Sequence, residues 1–237
     1  MSLDKNIPRF LGIAYLIQFI GSMFNDTLFN AATGSGDTLE KIVNISNNTM
    51  LMRLSIFSIL ITSLGIIAMT VLLYIVLQNQ SKPLALLALS FWLIEVIFLI
   101  ASCIGINILI PLSLESVGSG FSDLTLVTIA SLLIELKEFT YAIHLLFFGC
   151  GGILWYYLFY KSRYIPKVLA LWAFIMMPFM IADVVLVLFG IGLDSIMRMV
   201  ILFPLIAYLP FEGIMGIWFI VKGIDDDNQH NELENVK

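Results

Sequence analysis

The chain has 237 residues, 60% of them hydrophobic and only 12% charged, with a mean hydropathy of +1.00. A soluble domain runs at roughly 45–50% apolar and about 25% charged and could not hide this much apolar surface, so the chain is read as an all-α polytopic membrane helix bundle. A net charge of −5 excludes the basic footprint of a nucleic-acid binder, and two cysteines, Cys103 and Cys150, exclude a disulfide framework or multi-cysteine zinc site.

A helix needs about 20 mostly apolar residues to cross the hydrocarbon core. Six stretches qualify, at 8–24, 51–77, 84–112, 139–160, 168–193 and 199–221. One transmembrane domain therefore occupies 1–223. The acidic tail 224–237, with Asp225, Asp226, Asp227, Glu232 and Glu234, is expected to be solvated and disordered. The first run is read as a retained span, although Ala31-Ala32-Thr33 faintly resembles a signal-peptide cleavage site. Between the second and third spans, Gln78-Asn79-Gln80-Ser81-Lys82-Pro83 predicts a turn, with Pro83 suited to the first turn of the next helix. The apolar run 124–136 is too short to cross. Continuous helix from Ser122 to Tyr160 would be about 58 Å long, so the run is expected to project outward or to break near Lys137 into an interfacial segment. Lys161-Ser162-Arg163-Tyr164-Ile165-Pro166-Lys167 predicts the turn before the fifth span.

With the N-terminus inside, the cytoplasmic side collects Lys5, Arg9, Lys82, Lys161, Arg163, Lys167, Lys222 and Lys237, against Lys41, Arg53, Lys137 and Arg198 outside. Short basic loops stay in the cytoplasm, so both termini are expected there.

Ionisable groups inside a span are costly and are functional hypotheses by default. Glu95 lies about 16 Å into the third span and Glu212 about 20 Å into the sixth, both near the midplane. His144 and Asp183 lie nearer the outer ends of their spans, at roughly 8 Å and 15 Å. No lysine or arginine reaches the midplane. An ionised Glu95 or Glu212 would lack an ion-pair partner, and desolvation disfavours a charged form. Three readings stand open: protonated acids bonded to a neighbouring helix, acids lining a wet cavity for a proton, cation or polar ligand, or catalytic acid–base groups. In the outer half, Arg53 is placed to pair with Asp26 and Arg198 with Asp183. That half is read either as helix-end ion pairs or as an outward-facing pocket whose cationic rim holds an anionic headgroup or metabolite.

Gly149, Gly151 and Gly152 permit close helix approach in the fourth span. Pro178, Pro204 and Pro210 are expected to interrupt the fifth and sixth spans near Asp183 and Glu212. A single membrane histidine, His144, beside His230 in the tail excludes a three-histidine zinc site, and no metal site is assigned. No HExxH, GxSxG or P-loop pattern occurs, and no cofactor is indicated.

Four segments together carry a resemblance: Asn44-Ile45 with Leu51-Met52-Arg53, then Leu84-Ala85-Leu86-Leu87-Ala88, then Leu146-Phe147-Phe148-Gly149 through Tyr160-Lys161-Ser162-Arg163-Tyr164-Ile165-Pro166, and Glu212 through Trp218-Phe219-Ile220-Val221-Lys222-Gly223. Over about 8–223 the chain resembles the prokaryotic multi-pass membrane family catalogued as domain of unknown function 4386, with FFG…KSxxIP the most specific block. The resemblance implies a six-helix prokaryotic membrane protein without an established activity. Matching family positions are Arg53, Gly149, Ser162, Pro166 and Glu212; the arginine that the family pattern favours near Trp92 is absent.

The leading functional expectation is a non-enzymatic protein of the cell membrane that binds or moves a small ligand, lipid or cation through an outward-facing polar cavity. Its candidate residues are Glu95, His144, Asp183, Arg198, Glu212 and Arg53. The alternatives are an intramembrane enzyme acting on a lipid, with His144 and Asp183 as acid–base pair, and a structural, sensor or partner subunit. Oligomeric state is not specified by the sequence. Reporter fusions test the orientation: a fluorescent protein after Lys237 should mature in the cytoplasm and alkaline phosphatase there should stay inactive, the opposite pattern inverting the topology.

Overall fold

Helices form along each apolar run. In the computed structural model, residues 6–120, 124–191 and 195–224 are described, without the side chains of 195–205, 207 and 209. Among them there are seven helices and no strand: α1 (Ile7–Thr33), α2 (Thr38–Asn47), α3 (Thr49–Leu77), α4 (Lys82–Gly118), α5 (Leu124–Ser162), α6 (Lys167–Leu188) and α7 (Ser195–Val221). Five of these, α1, α3, α4, α5 and α6, are long and apolar enough to cross a membrane, and Pro210–Val221 of α7 is a shorter apolar helix. The tail expected to be disordered falls, at 225–237, outside the described residues.

Polarity on the long helices is turned inward. On α4, Glu95 is 1% exposed, whereas Ile97 and Ile104 are 63% and 65% exposed. On α3, Ser55, Ser58, Thr62 and Ser63 are buried while Leu54, Phe57, Leu60 and Leu64 face outward. In water such apolar faces would drive association; against lipid they cost nothing, and the hydroxyls need internal partners. Those partners are backbone carbonyls: Ser55 donates to Met52, Thr62 to Ser58 and Ser63 to Ile59, at 2.8–2.9 Å.

The described residues make two compact units. One comprises the chain to Leu16, Gly65–Glu95 and the part from His144 onward; the other comprises Ile17–Leu64 and Val96–Ile143. In the first, α1 and α7 meet backbone to backbone. A Cβ on Gly12 would lie 2.6 Å from the Gly216 carbonyl oxygen, and one on Gly216 would lie 3.1 Å from that of Gly12. Gly149 and Gly152 of α5 similarly admit Ile181 and Met177 of α6. The turn after α5 is closed locally. Arg163 adopts φ +58°, the Ser162 hydroxyl accepts the Tyr164 N–H at 3.3 Å, and Tyr164 and Ile165 are buried. Lys161 donates to the Gln80 carbonyl at 3.2 Å, tying this turn to the one before α4.

In the second unit, α1 packs on α3 at Gly21, where a Cβ would collide with Thr62, and the Ser58 hydroxyl donates to the Gly21 carbonyl at 2.7 Å. The sequence reading did not anticipate α2. Asp37 caps it by accepting the Glu40 N–H at 2.9 Å, Ile42 and Ile45 bury one face, and Asn44 donates to the Thr33 carbonyl at the end of α1.

Two sequence expectations resolve here. Residues 124–136 neither break at Lys137 nor form a separate segment: α5 is one helix of 39 residues, about 58 Å long. Pro178 and Pro210 do not end their helices either, since α6 and α7 run through them. Each proline forfeits one backbone donor, a loss that neighbouring helices and local adjustment tolerate in a membrane.

Leucine at Gly12 should lower folded stability by about 1–3 kcal/mol, because the nearest facing atom, the Gly216 carbonyl oxygen, is backbone and cannot swing aside. Thermal melting in detergent checks this, and the exposed Ile13→Leu change should leave the melting temperature unaltered.

Candidate functional site

The candidate site lies within the first unit and starts from one pair. Glu95 on α4 is buried, and His144 on α5 places Nδ1 3.7 Å from its Oε1. The imidazole also interacts with the Glu95 backbone. At 3.7 Å the carboxyl–imidazole approach exceeds a hydrogen-bond length, and Glu95 Oε2 has no partner in bonding geometry. The second acid, Glu212 on α7, interacts electrostatically with Glu95. Among the described residues no lysine or arginine is buried.

Glu212 belongs to a chain of hydroxyls. Tyr208, one helical turn earlier, donates to Glu212 Oε1 at 3.4 Å, and its hydroxyl oxygen is 2.7 Å from that of Tyr156 on α5. Each tyrosine has one proton, so with Tyr208 donating to the acid, Tyr156 donates to Tyr208. Tyr15 on α1 is fully buried and interacts with both Tyr156 and Glu212, although its hydroxyl does not reach hydrogen-bond geometry.

Aromatic rings connect the two acidic groups. Trp92, one turn before Glu95, stacks on Phe148 at 5.6 Å and 6°, and its indole N–H donates to the Phe148 carbonyl at 3.0 Å. This contact needs Gly151, where any Cβ would strike the indole. Phe148 in turn meets Tyr208 edge-on at 5.8 Å, and Tyr156 meets Phe211 edge-on at 5.2 Å.

The sequence candidates thus divide. Glu95, His144 and Glu212 come together. The carboxyl group found beside His144 is Glu95. Asp183 is half-buried on α6 and lies about 100° around that helix from the buried Val184. The Arg198 side chain lies outside the described residues, and with it the expected pairing to Asp183. Arg53 is exposed on α3 in the other unit, and no ion pair joins it to Asp26. Asp26 instead accepts from Asn25 at 3.2 Å and interacts with Lys137. Lys137 lies 4.3 Å over the Phe29 ring and 3.4 Å from Glu138, a cation held by an aromatic face rather than by the arginine–aspartate pair expected at a helix end. Among the described residues no three His, Cys, Asp or Glu side chains converge enough to hold a metal ion.

Sequence reasoning passed over Tyr15, Tyr156, Tyr208 and Trp92. Only Tyr208 carried a local signal, its i, i+4 spacing to Glu212 on one helix face. The others are brought in from separate helices.

Long apolar helices with ionisable groups turned inward have the length and composition of a multi-pass membrane protein. The family model described as "Domain of unknown function (DUF4386)" matches residues 10–223, nearly the whole chain, and the chain belongs to that family. No curated protein and no solved structure matches it.

An acid with no buried lysine or arginine beside it among the described residues does not need its charge for folding. Glu95→Gln and Glu212→Gln should therefore retain folded yield and stay within about 1 kcal/mol of the parent. Size-exclusion profiles and thermal melts check this, and aggregation of either variant would show that its ionised form holds the helices together.

Proposed function

We propose that this protein spans a prokaryotic plasma membrane six times, with both termini in the cytoplasm, and binds a small cation at the Glu95–His144–Glu212 group. The sixth span is α7, whose apolar run continues from the described Pro210–Val221 part. The excess of lysine and arginine in the loops assigned to the cytoplasm supports the orientation.

The observation that carries the ligand assignment is the Glu95 carboxyl beside His144, electrostatically coupled to Glu212, in surroundings where no lysine or arginine is buried among the described residues. A cation would satisfy Glu95 Oε2, which has no hydrogen-bond partner among the described residues. His144, beside Glu95, takes up or yields a proton as the local charge changes. Asp183 and Arg198 are assigned by their sequence positions to the outer rim of this site, whereas Arg53 has no part in it.

Ligand-induced stabilisation tests the assignment. Thermal melts of the purified protein against sodium, potassium and tetramethylammonium chlorides at constant ionic strength should show stabilisation by one of them, approaching about 2.7 kcal/mol at a hundred times its dissociation constant. Glu95→Gln combined with Glu212→Gln should abolish the response. Equal responses in parent and double variant, or none in the parent, would remove the cation site.

A further inference from the structure

The cation site leaves three buried hydroxyls unexplained. Tyr15, Tyr156 and Tyr208 come from three helices, and the hydroxyls of Tyr156 and Tyr208 lead in hydrogen-bonded sequence to one carboxyl group. Packing alone does not call for this arrangement, since phenylalanine would keep the ring contacts of Tyr156 with Phe211 and of Tyr208 with Phe148. A hydroxyl in a lipid-surrounded core carries a desolvation cost that a phenyl ring avoids. The Tyr15 hydroxyl bears that cost most plainly, being fully buried and outside bonding geometry.

We propose that Tyr156 and Tyr208 form a hydroxyl relay that loads Glu212 with a proton and unloads it. In this arrangement Tyr208 donates to Glu212 Oε1 and Tyr156 to Tyr208. A proton handed to the Tyr156 oxygen by solvent displaces the Tyr156 proton onto Tyr208, and the Tyr208 proton onto Glu212. Each tyrosine gains one proton and loses one. The carboxylate becomes a carboxylic acid, and return of the hydroxyls to their starting orientation resets the chain.

This rests on the cation reading, whose partner event it supplies: with Glu212 protonated the site has one negative charge fewer and releases its cation, and with Glu212 ionised it takes one up. The groups that act on the chain are Tyr15 on α1, Glu95 on α4, Tyr156 on α5 and Glu212 on α7. The same unit also holds the ionisable His144 on α5, Asp183 on α6 and Tyr74 on α3.

Infrared difference spectroscopy of the protein in D2O tests the relay without reference to any bound cation. The carboxyl C=O band that disappears in Glu212→Gln identifies the group, and its rate of hydrogen–deuterium exchange is the readout. Tyr208→Phe and Tyr156→Phe should each slow that exchange at least tenfold, while Tyr160→Phe, an exposed tyrosine, should leave it unchanged. Equal exchange rates in Tyr208→Phe and the parent overturn the relay, as does the absence of any Glu212 carboxyl band from acidic to neutral pH. If Tyr208→Phe is not recovered folded, Tyr156→Phe decides by the same rate. The salt-dependent melts address the cation site separately, so either idea can fail while the other stands.

Discussion

Polar groups turned into the interior of the long apolar helices have to find partners within the protein. In hydrocarbon an unsatisfied N–H, C=O or hydroxyl costs several kcal/mol, and that penalty dictates helices throughout and inward-turned polar side chains. The serines and threonines of α3 meet it by bonding to carbonyls of their own helix, and Ser58 meets it by crossing to the Gly21 carbonyl on α1. Close approach follows from the same demand, because a side-chain hydroxyl reaches a neighbouring backbone only where that neighbour has no Cβ.

Small residues therefore do more here than fill space. Gly151 opens the surface of α5 so that the Trp92 indole can donate to the Phe148 carbonyl, which places Trp92 and, one turn on, Glu95 against α5. Gly12 and Gly216 let α1 and α7 touch backbone to backbone, bringing Tyr15 toward Glu212. The acids, the imidazole and the three tyrosines are thus positioned by packing, with no buried salt bridge to lysine or arginine among the described residues. An ion pair in such a core would have to repay the desolvation of both charges.

Departures from the sequence reading have physical causes. Proline was expected to interrupt α6 and α7, yet helix persists through Pro178 and Pro210 because one missing donor is tolerated where neighbouring packing holds the backbone. Of the two readings of 124–136, the structure shows helix continuous with α5 and no break at Lys137, which lies over the Phe29 ring and beside Glu138. Apolar periodicity could not locate α2, a ten-residue helix between spans, although its Asp37 cap and Glu40 stand in the sequence.

The sequence by itself determined the class. Apolar runs of spanning length, the depth of Glu95, His144 and Glu212 along their spans, and the family-specific block ending at Pro166 are all legible in composition and spacing, because lipid imposes its length and polarity rules on each helix separately. Tertiary structure decided the partners. That His144 stands beside Glu95, that Tyr156 reaches Tyr208, and that Tyr15 joins them depends on which faces of α1, α4, α5 and α7 meet. Those residues are separated in sequence by up to nearly the full chain, and hydrophobic periodicity, nearly uniform around helices that face lipid on one side and apolar neighbours on the other, carries no record of which face is which.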